Sequence, residues 1–170
     1  MIKIQDNKFI LEKIGISIPI FDGLLVGEET EYETISFMPV EKDCTITFSA
    51  EMTYDVDGEI GLNKKLSEEK GNISKINKPP SKIEINGLKG CSAVFFHWTR
   101  QVYEIHFDTV NGNEDTLVVT VAIDCSRVEE DSEWYNLSDE ERCEKAYEKL
   151  KKILDRKNIK DYINGIGIVK

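Results

Sequence analysis

Residues 44–54 alternate without a break. Cys44, Ile46, Phe48, Ala50, Met52 and Tyr54 fall on one side of an extended chain, and Thr45, Thr47, Ser49, Glu51 and Thr53 on the other. A period of two over this length fits a strand with one face in a core and the other in water, the pattern of an antiparallel sheet. It excludes a helical bundle and sets the register of whatever pairs with it.

The same period returns in quick succession further on. Residues 83–85, 91–98, 102–109 and 116–125 are rich in β-branched and aromatic side chains, and the turn formers Asn86-Gly87, Thr99-Arg100 and Asn111-Gly112-Asn113 separate them. Connections this short join antiparallel neighbours, so a meander is expected. With Thr99-Arg100 as a two-residue turn, Phe96 is placed opposite Tyr103 and Val94 opposite Ile105. Val94, Phe96, Trp98, Tyr103, Ile105 and Phe107 then share an apolar face, which Leu117, Val119, Val121, Ile123 and Cys125 continue. The opposite face carries Phe95, His97, Val102, Glu104, His106, Val118, Thr120 and Ala122, too apolar to be fully wet and too polar to be dry.

Before the meander, Ile14, Ile16, Ile18 and Ile20 alternate toward Pro19, which cannot donate to a ladder and marks a strand edge or end. Residues 31–38 read as a less regular strand. Residues 63–70 read as two helical turns stopped by Gly71, and Pro79-Pro80 as an extended connection. After the meander, Ser138 and Glu141 form a capping box. Cys143, Ala146, Tyr147, Leu150, Ile153 and Leu154 then make one apolar stripe of a long helix. Asp139, Glu140 and Glu141 at its start and Lys151, Lys152, Arg156 and Lys157 at its end suit the helix dipole. Tyr162, Ile163, Ile166, Ile168 and Val169 read as a short closing strand turned at Asn164-Gly165. The expected fold is α+β, mainly an antiparallel meander with the C-terminal helix on one face, in one domain over residues 1–170.

Function is constrained first by charge. Thirty-two acidic and 22 basic side chains among 170 residues leave a net charge of −10, which disfavours nucleic acid and anionic membranes. Residues 1–13 interrupt their apolar positions with charges, unlike a signal peptide, and the longest apolar stretch, around residues 93–96, is far short of a membrane span. A cytoplasmic protein is expected. Cys44, Cys91, Cys125 and Cys143 are scattered on apolar faces without a Cys-x-x-Cys pair and read as buried free thiols.

The chemical motifs are few. Asp55-Val-Asp-Gly-Glu-Ile60 looks like the middle of a calcium loop, but that alignment puts Lys64 where a bidentate acid belongs, so Asp57-Gly58 reads as a turn. Glu104, His106 and Asp108 project from one strand face, with His97 on the neighbouring strand, which is raw material for a metal site or an acid–base pair. The two histidines are expected to lie well apart along the ladder, however, so a polar strip on a partly covered sheet face is the better account of them. Trp134 and Tyr135, in the acidic stretch 129–135, are either a partner-binding anchor or a cover over the end of the core. No nucleophile elbow, zinc-protease helix or phosphate loop occurs. No residue is assigned a catalytic, cofactor-binding or metal-ligating role, and no cofactor is expected.

Ile16-Ser-Ile-Pro19 near the start, Ile85-Asn-Gly-Leu-Lys-Gly90 opening the meander and residues 117–123 before the last helix give an element order that resembles the PsbP-like and DcrB-like small α+β domains. The resemblance implies an antiparallel sheet with helices packed on it and a non-enzymatic binding or accessory role. It carries over no site residues. The leading expectation is an accessory, chaperone-like or inhibitory domain that binds another protein, a basic one, through an acidic surface. Its rival is a small-molecule or metal-binding domain, an enzyme included, that uses the face of His97, Glu104 and His106. A structural module of a larger assembly is the third.

Overall fold

The computed structural model describes residues 2–20, 25–26, 34–52, 57–110, 112 and 115–169. The expected strand residues 31–33 and 53–54 and the turn residues Asn111 and Asn113 lie outside the described residues. The chain is α+β, and its described residues form two antiparallel sheets and three α-helices.

The meander forms the centre of a seven-stranded sheet. Its strands are β4 (Leu25–Val26), β5 (Thr34–Met38), β6 (Thr45–Met52), β7 (Ile73–Ile85), β8 (Leu88–His97), β9 (Arg100–Phe107) and β10 (Asp115–Asp124), in the order β4-β5-β6-β10-β9-β8-β7. The alternating segment at β6 pairs with β10, with Phe48 opposite Val119 and Ile46 opposite Val121. Asn86 and Gly87 adopt φ of 50° and 83° in the β7–β8 turn, the left-handed values that Asn-Gly supplies readily. The Asn86 amide also donates to the carbonyls of Asn164 and Ile166, at 2.7 and 2.8 Å, tying the turn to the end of the chain.

A second sheet of four strands contains β1 (Ile2–Gln5), β2 (Lys8–Leu11), β3 (Ile16–Pro19) and β11 (Gly167–Ile168), in that order. Pro19 ends β3, as its missing N–H requires. The two sheets share one core. Phe37 of β5 meets Phe9 of β2 at 5.7 Å, Phe48 of β6 at 5.6 Å and Tyr162 at 5.4 Å between ring centroids. Helix α2 (Asp139–Leu154) has the expected capping box and buries Cys143, Ala146, Leu150 and Ile153 in this core.

Five expectations change. The β8–β9 turn is Trp98-Thr99, so Phe96 pairs with Gln101 and Val94 with Tyr103. The slip is two residues, which preserves every face assignment within the strands but expels Trp98 from the core to a turn where it is 63% exposed. Helix α1 (Gly58–Glu68) starts earlier than expected, because Asp57 is its N-cap, accepting from Glu59 N–H at 2.8 Å, rather than part of a turn. Strand β7 runs through Pro79-Pro80, which an outer strand tolerates, with register shifts around Lys78 and Ser81. Tyr162 and Ile163 belong to helix α3 (Lys157–Asn164), whose buried face is Ile159 and Tyr162, and only Gly167–Ile168 closes the sheet as a strand. The β1–β2 hairpin was not expected at all. Its signal is Asp6-Asn7, with φ of 50° and 59°, between short alternating runs.

Candidate functional site

Helix α1 explains the mixed face of the seven-stranded sheet. It lies across that face, with Leu62 and Leu66 packed against Cys91, Ala93, Phe95, Val102 and Ala122. This small apolar cluster is separate from the main core and contains only two helix leucines. Polar contacts complete the docking. Gly58 N–H donates to the Asp108 carboxylate at 2.7 Å at the helix start, where a carboxylate also complements the dipole. A Cβ at Gly58 would lie 2.1 Å from the His106 carbonyl oxygen, so only glycine permits this approach of helix and strand.

Under the helix, Glu104 is 3% exposed and fully engaged. Lys65 reaches one carboxylate oxygen at 2.7 Å, His106 Nε2 the other at 2.8 Å, and Thr120 donates to the first at 3.3 Å. Burial raises the Glu104 pKa, but the His106 hydrogen bond, the charges of Lys65 and His106, and the Lys65 hydrogen bond outweigh it and hold the group at about 2. Glu104 is therefore an ionised buried carboxylate held by Lys65, His106 and Thr120. A proton acceptor in water needs the reverse setting, with a raised pKa and a free oxygen.

His97 belongs to a different contact. Its Nε2 lies 3.0 Å from Glu69, which also accepts from the Asn72 amide at 2.9 Å. His106 is opposite Cys91, whereas His97 is opposite Arg100. Cys91 and His97 are six residues apart on β8, or roughly 20 Å at the rise of a strand. The two histidines do not converge, and each faces its own carboxylate. Among the described residues no group of three His, Cys, Asp or Glu side chains is placed to hold a metal ion. A cleft of about 440 Å³ beside the start of α1 is lined by Asp57, Glu59, Lys82, Glu84, Lys89 and Asp108, but neither histidine reaches it.

The four cysteines are buried and free. Burial pushes the Cys44 thiol up to about 12 and the Cys125 thiol up to about 11, and it raises Cys91 and Cys143 as well. None has the depressed pKa of a reactive thiol.

The acidic stretch before α2 separates its two aromatics. Trp134 folds back and is 5% exposed, with Lys145 and Lys149 of α2 at 5.3 and 5.5 Å from its ring centre. Tyr135 is 40% exposed. The Lys149 hydrogen bond, helped by the charge of Lys149 and the hydrogen bond and charge of Lys145, lowers the Glu133 pKa against desolvation by burial. Between this stretch and the end of β10 lies an open cleft of about 440 Å³, lined by Asp124, Ser126, Val128, Glu129, Asp131, Ser132, Glu133 and Trp134. Its carboxylates come from both sides. Thr120 falls on the expected face beside Glu104, but Lys65 and Glu69 as partners of the polar strip are not legible in the sequence, because no local pattern encodes contacts with a strand roughly thirty to forty residues away. The burial of Trp134 matches its reading as a cover over the end of the core, whereas Trp98, expected on the core face, is exposed.

No family model matches the chain, and no curated protein matches it. Among solved structures, it is similar to a protein of unknown function from Pseudomonas aeruginosa, described as a candidate regulator, at a TM-score of 0.45 and 10% identity over 73% of this chain and 82% of that one. A protein from Bacteroides thetaiotaomicron is similar at a TM-score of 0.44 and 15% identity over 71% of this chain, which spans 42% of that one. No helix among the described residues is long and apolar enough to cross a membrane.

Proposed function

We propose that residues 1–170 act as one non-catalytic accessory domain, chaperone-like or inhibitory, that binds a basic protein through its acidic surface in the cytoplasm; the net charge of −10 motivates the acidic surface, and the PsbP-like and DcrB-like resemblance implies only the non-enzymatic binding or accessory role. The observation that carries the reading is the open cleft of Asp124, Glu129, Asp131 and Glu133. It is open, and its charged lining side chains are carboxylates, of which Glu133 is already paired with Lys145 and Lys149 while Glu129 and Asp131 are exposed, in a chain of net charge −10. Such a surface speeds encounter with a cationic partner and sets orientation. The polar strip of Glu104 and His106 is already saturated by α1, and this favours a structural role for it over ligand binding.

The test is a pull-down from the source organism's lysate at low salt, run with the wild-type chain and with a Glu129→Gln, Asp131→Asn variant. A basic protein retained by the wild type, released as salt is raised and poorly retained by the variant is the expected result. Retention of no protein, or of proteins indifferent to both salt and the variant, overturns the reading.

A further inference from the structure

We propose that Trp98, at the tip of the β8–β9 hairpin, is a preformed anchor for a basic amphipathic protein segment whose charges sit against the neighbouring acidic loop. This rests on the acidic-surface reading and names the apolar contact that the reading lacks.

Three observations converge on Trp98. The first is exposure: the side chain is 63% accessible, whereas the other tryptophan is buried. The second is conformation. Trp98 has φ of 56°, a left-handed value that bulky side chains rarely adopt and that glycine or asparagine would hold more easily. Folding does not call for a tryptophan there.

The third is rigidity. Trp98 N–H donates to the Asn72 carbonyl at 2.9 Å on one flank of the turn, and Cys125 N–H donates to the Thr99 carbonyl at 2.7 Å on the other. His97, packed edge-on to the Trp98 ring at 6.3 Å, is held by Glu69, which is held by Asn72. The tip is thus stapled to the turn that precedes β7 and to the chain leaving β10. A large aromatic presented on a backbone that is already ordered is the usual form of an interface hot spot, since little freedom remains to be lost on binding.

The choice of partner follows from the surroundings. The staple to Cys125 sets the turn beside the start of the acidic loop, where Val128 is 86% exposed and Glu129, Glu130 and Asp131 are exposed. Arg100 lies opposite Asp124 in the ladder, Arg127 pairs with Asp139, and Lys145 and Lys149 pair with Glu133, which leaves the exposed Glu129, Glu130 and Asp131 as the charges of the loop. Apolar Trp98 and Val128 with the loop carboxylates match a segment that alternates cationic and apolar side chains. A second copy of this chain, equally acidic, would be repelled.

The test uses the full chain at low salt and fluorescence anisotropy of three labelled synthetic peptides: a lysine–leucine peptide patterned as an amphipathic helix, a lysine–serine peptide of equal charge, and a glutamate–leucine peptide of the same pattern. The lysine–leucine peptide is expected to bind best. Trp98→Asn should weaken it roughly tenfold or more and leave it no better than the lysine–serine peptide, with the circular dichroism spectrum unchanged. In the unmodified chain the bound peptide should shift tryptophan emission to the blue and reduce acrylamide quenching, a change that reports Trp98 because Trp134 is already buried. Unchanged affinity in Trp98→Asn, or unchanged quenching, overturns the anchor. If Glu129→Gln, Asp131→Asn weakens both basic peptides while Trp98→Asn does not, the acidic-surface reading stands and the anchor falls. If neither basic peptide binds better than the acidic one, both fall. Self-association of the wild type that Trp98→Asn abolishes would assign the site to a second copy and overturn the proposal.

Discussion

Glu104 and Trp98 are in opposite settings. Glu104 is buried yet charged, which is stable only because Lys65 and His106 donate to it. Its pKa falls from an ordinary 4.5 to about 2 on folding, so its contribution to stability is fully present above 4.5 and is lost as pH falls through about 2. That contribution is on the order of 3 kcal/mol. Glu104→Gln, which keeps the shape but removes the charge, should lower stability by about 2–4 kcal/mol at pH 7. In urea unfolding measured from pH 7 to pH 2, the gap between the two proteins should narrow as the wild type takes up its proton; a gap independent of pH would refute this account. Trp98, in contrast, is exposed at a backbone conformation it does not favour. Trp98→Asn should raise stability by about 0.5–1 kcal/mol by relieving that conformation. A loss of more than about 1 kcal/mol in the same unfolding assay would mean that the ring packs structurally.

At the scale of elements, what could be read from the sequence was what has a local period or cap. Strand β6, the Asn86-Gly87 turn and the capping box at Ser138 each carry their signal within a few residues. The core faces of β8, β9 and β10 also survived, because a slip of two residues leaves alternation intact. The parts that were not legible depend on distant partners. Helix α1 has a weakly amphipathic sequence, with only Leu62 and Leu66 buried among its large apolar residues, so its docking depends on Asp108, Glu104 and the absence of a Cβ at Gly58. The polar strip looked like a candidate site because the residues that neutralise it lie on that helix. Gly58→Ala tests this dependence directly. The new methyl group would collide with the His106 carbonyl, so the helix must shift, at a cost of about 1–3 kcal/mol. Hydrogen exchange should show loss of protection across α1, with α2 little changed because it packs on the other face of the sheet. Equal loosening of both helices would show that α1 is not an independently docked layer.

At the scale of the whole molecule, the seven-stranded sheet has the thirteen-residue strand β7 as one border. A long outer strand with free backbone groups invites pairing with another copy. Here Pro79 and Pro80 remove two donors, one of them on the outer edge of a regular strand, the register shifts around Lys78 and Ser81 break its regularity, and Lys75, Lys78 and Lys82 are placed along it. These lysines are a local excess of positive charge in an acidic chain, so overall charge repels like molecules while this border alone would be attracted to acidic regions of a second copy. The prolines and bulges therefore supply protection that charge does not. Replacing Pro79 and Pro80 together with threonine restores two donors and favours a regular strand. Sedimentation velocity at matched concentrations should then show larger species for the variant than for the wild type, increasing with concentration and reversed by Lys78→Pro introduced on the same border. If the threonine variant sediments like the wild type, the border is protected by something other than its prolines, and the twist and charge of β7 would have to suffice.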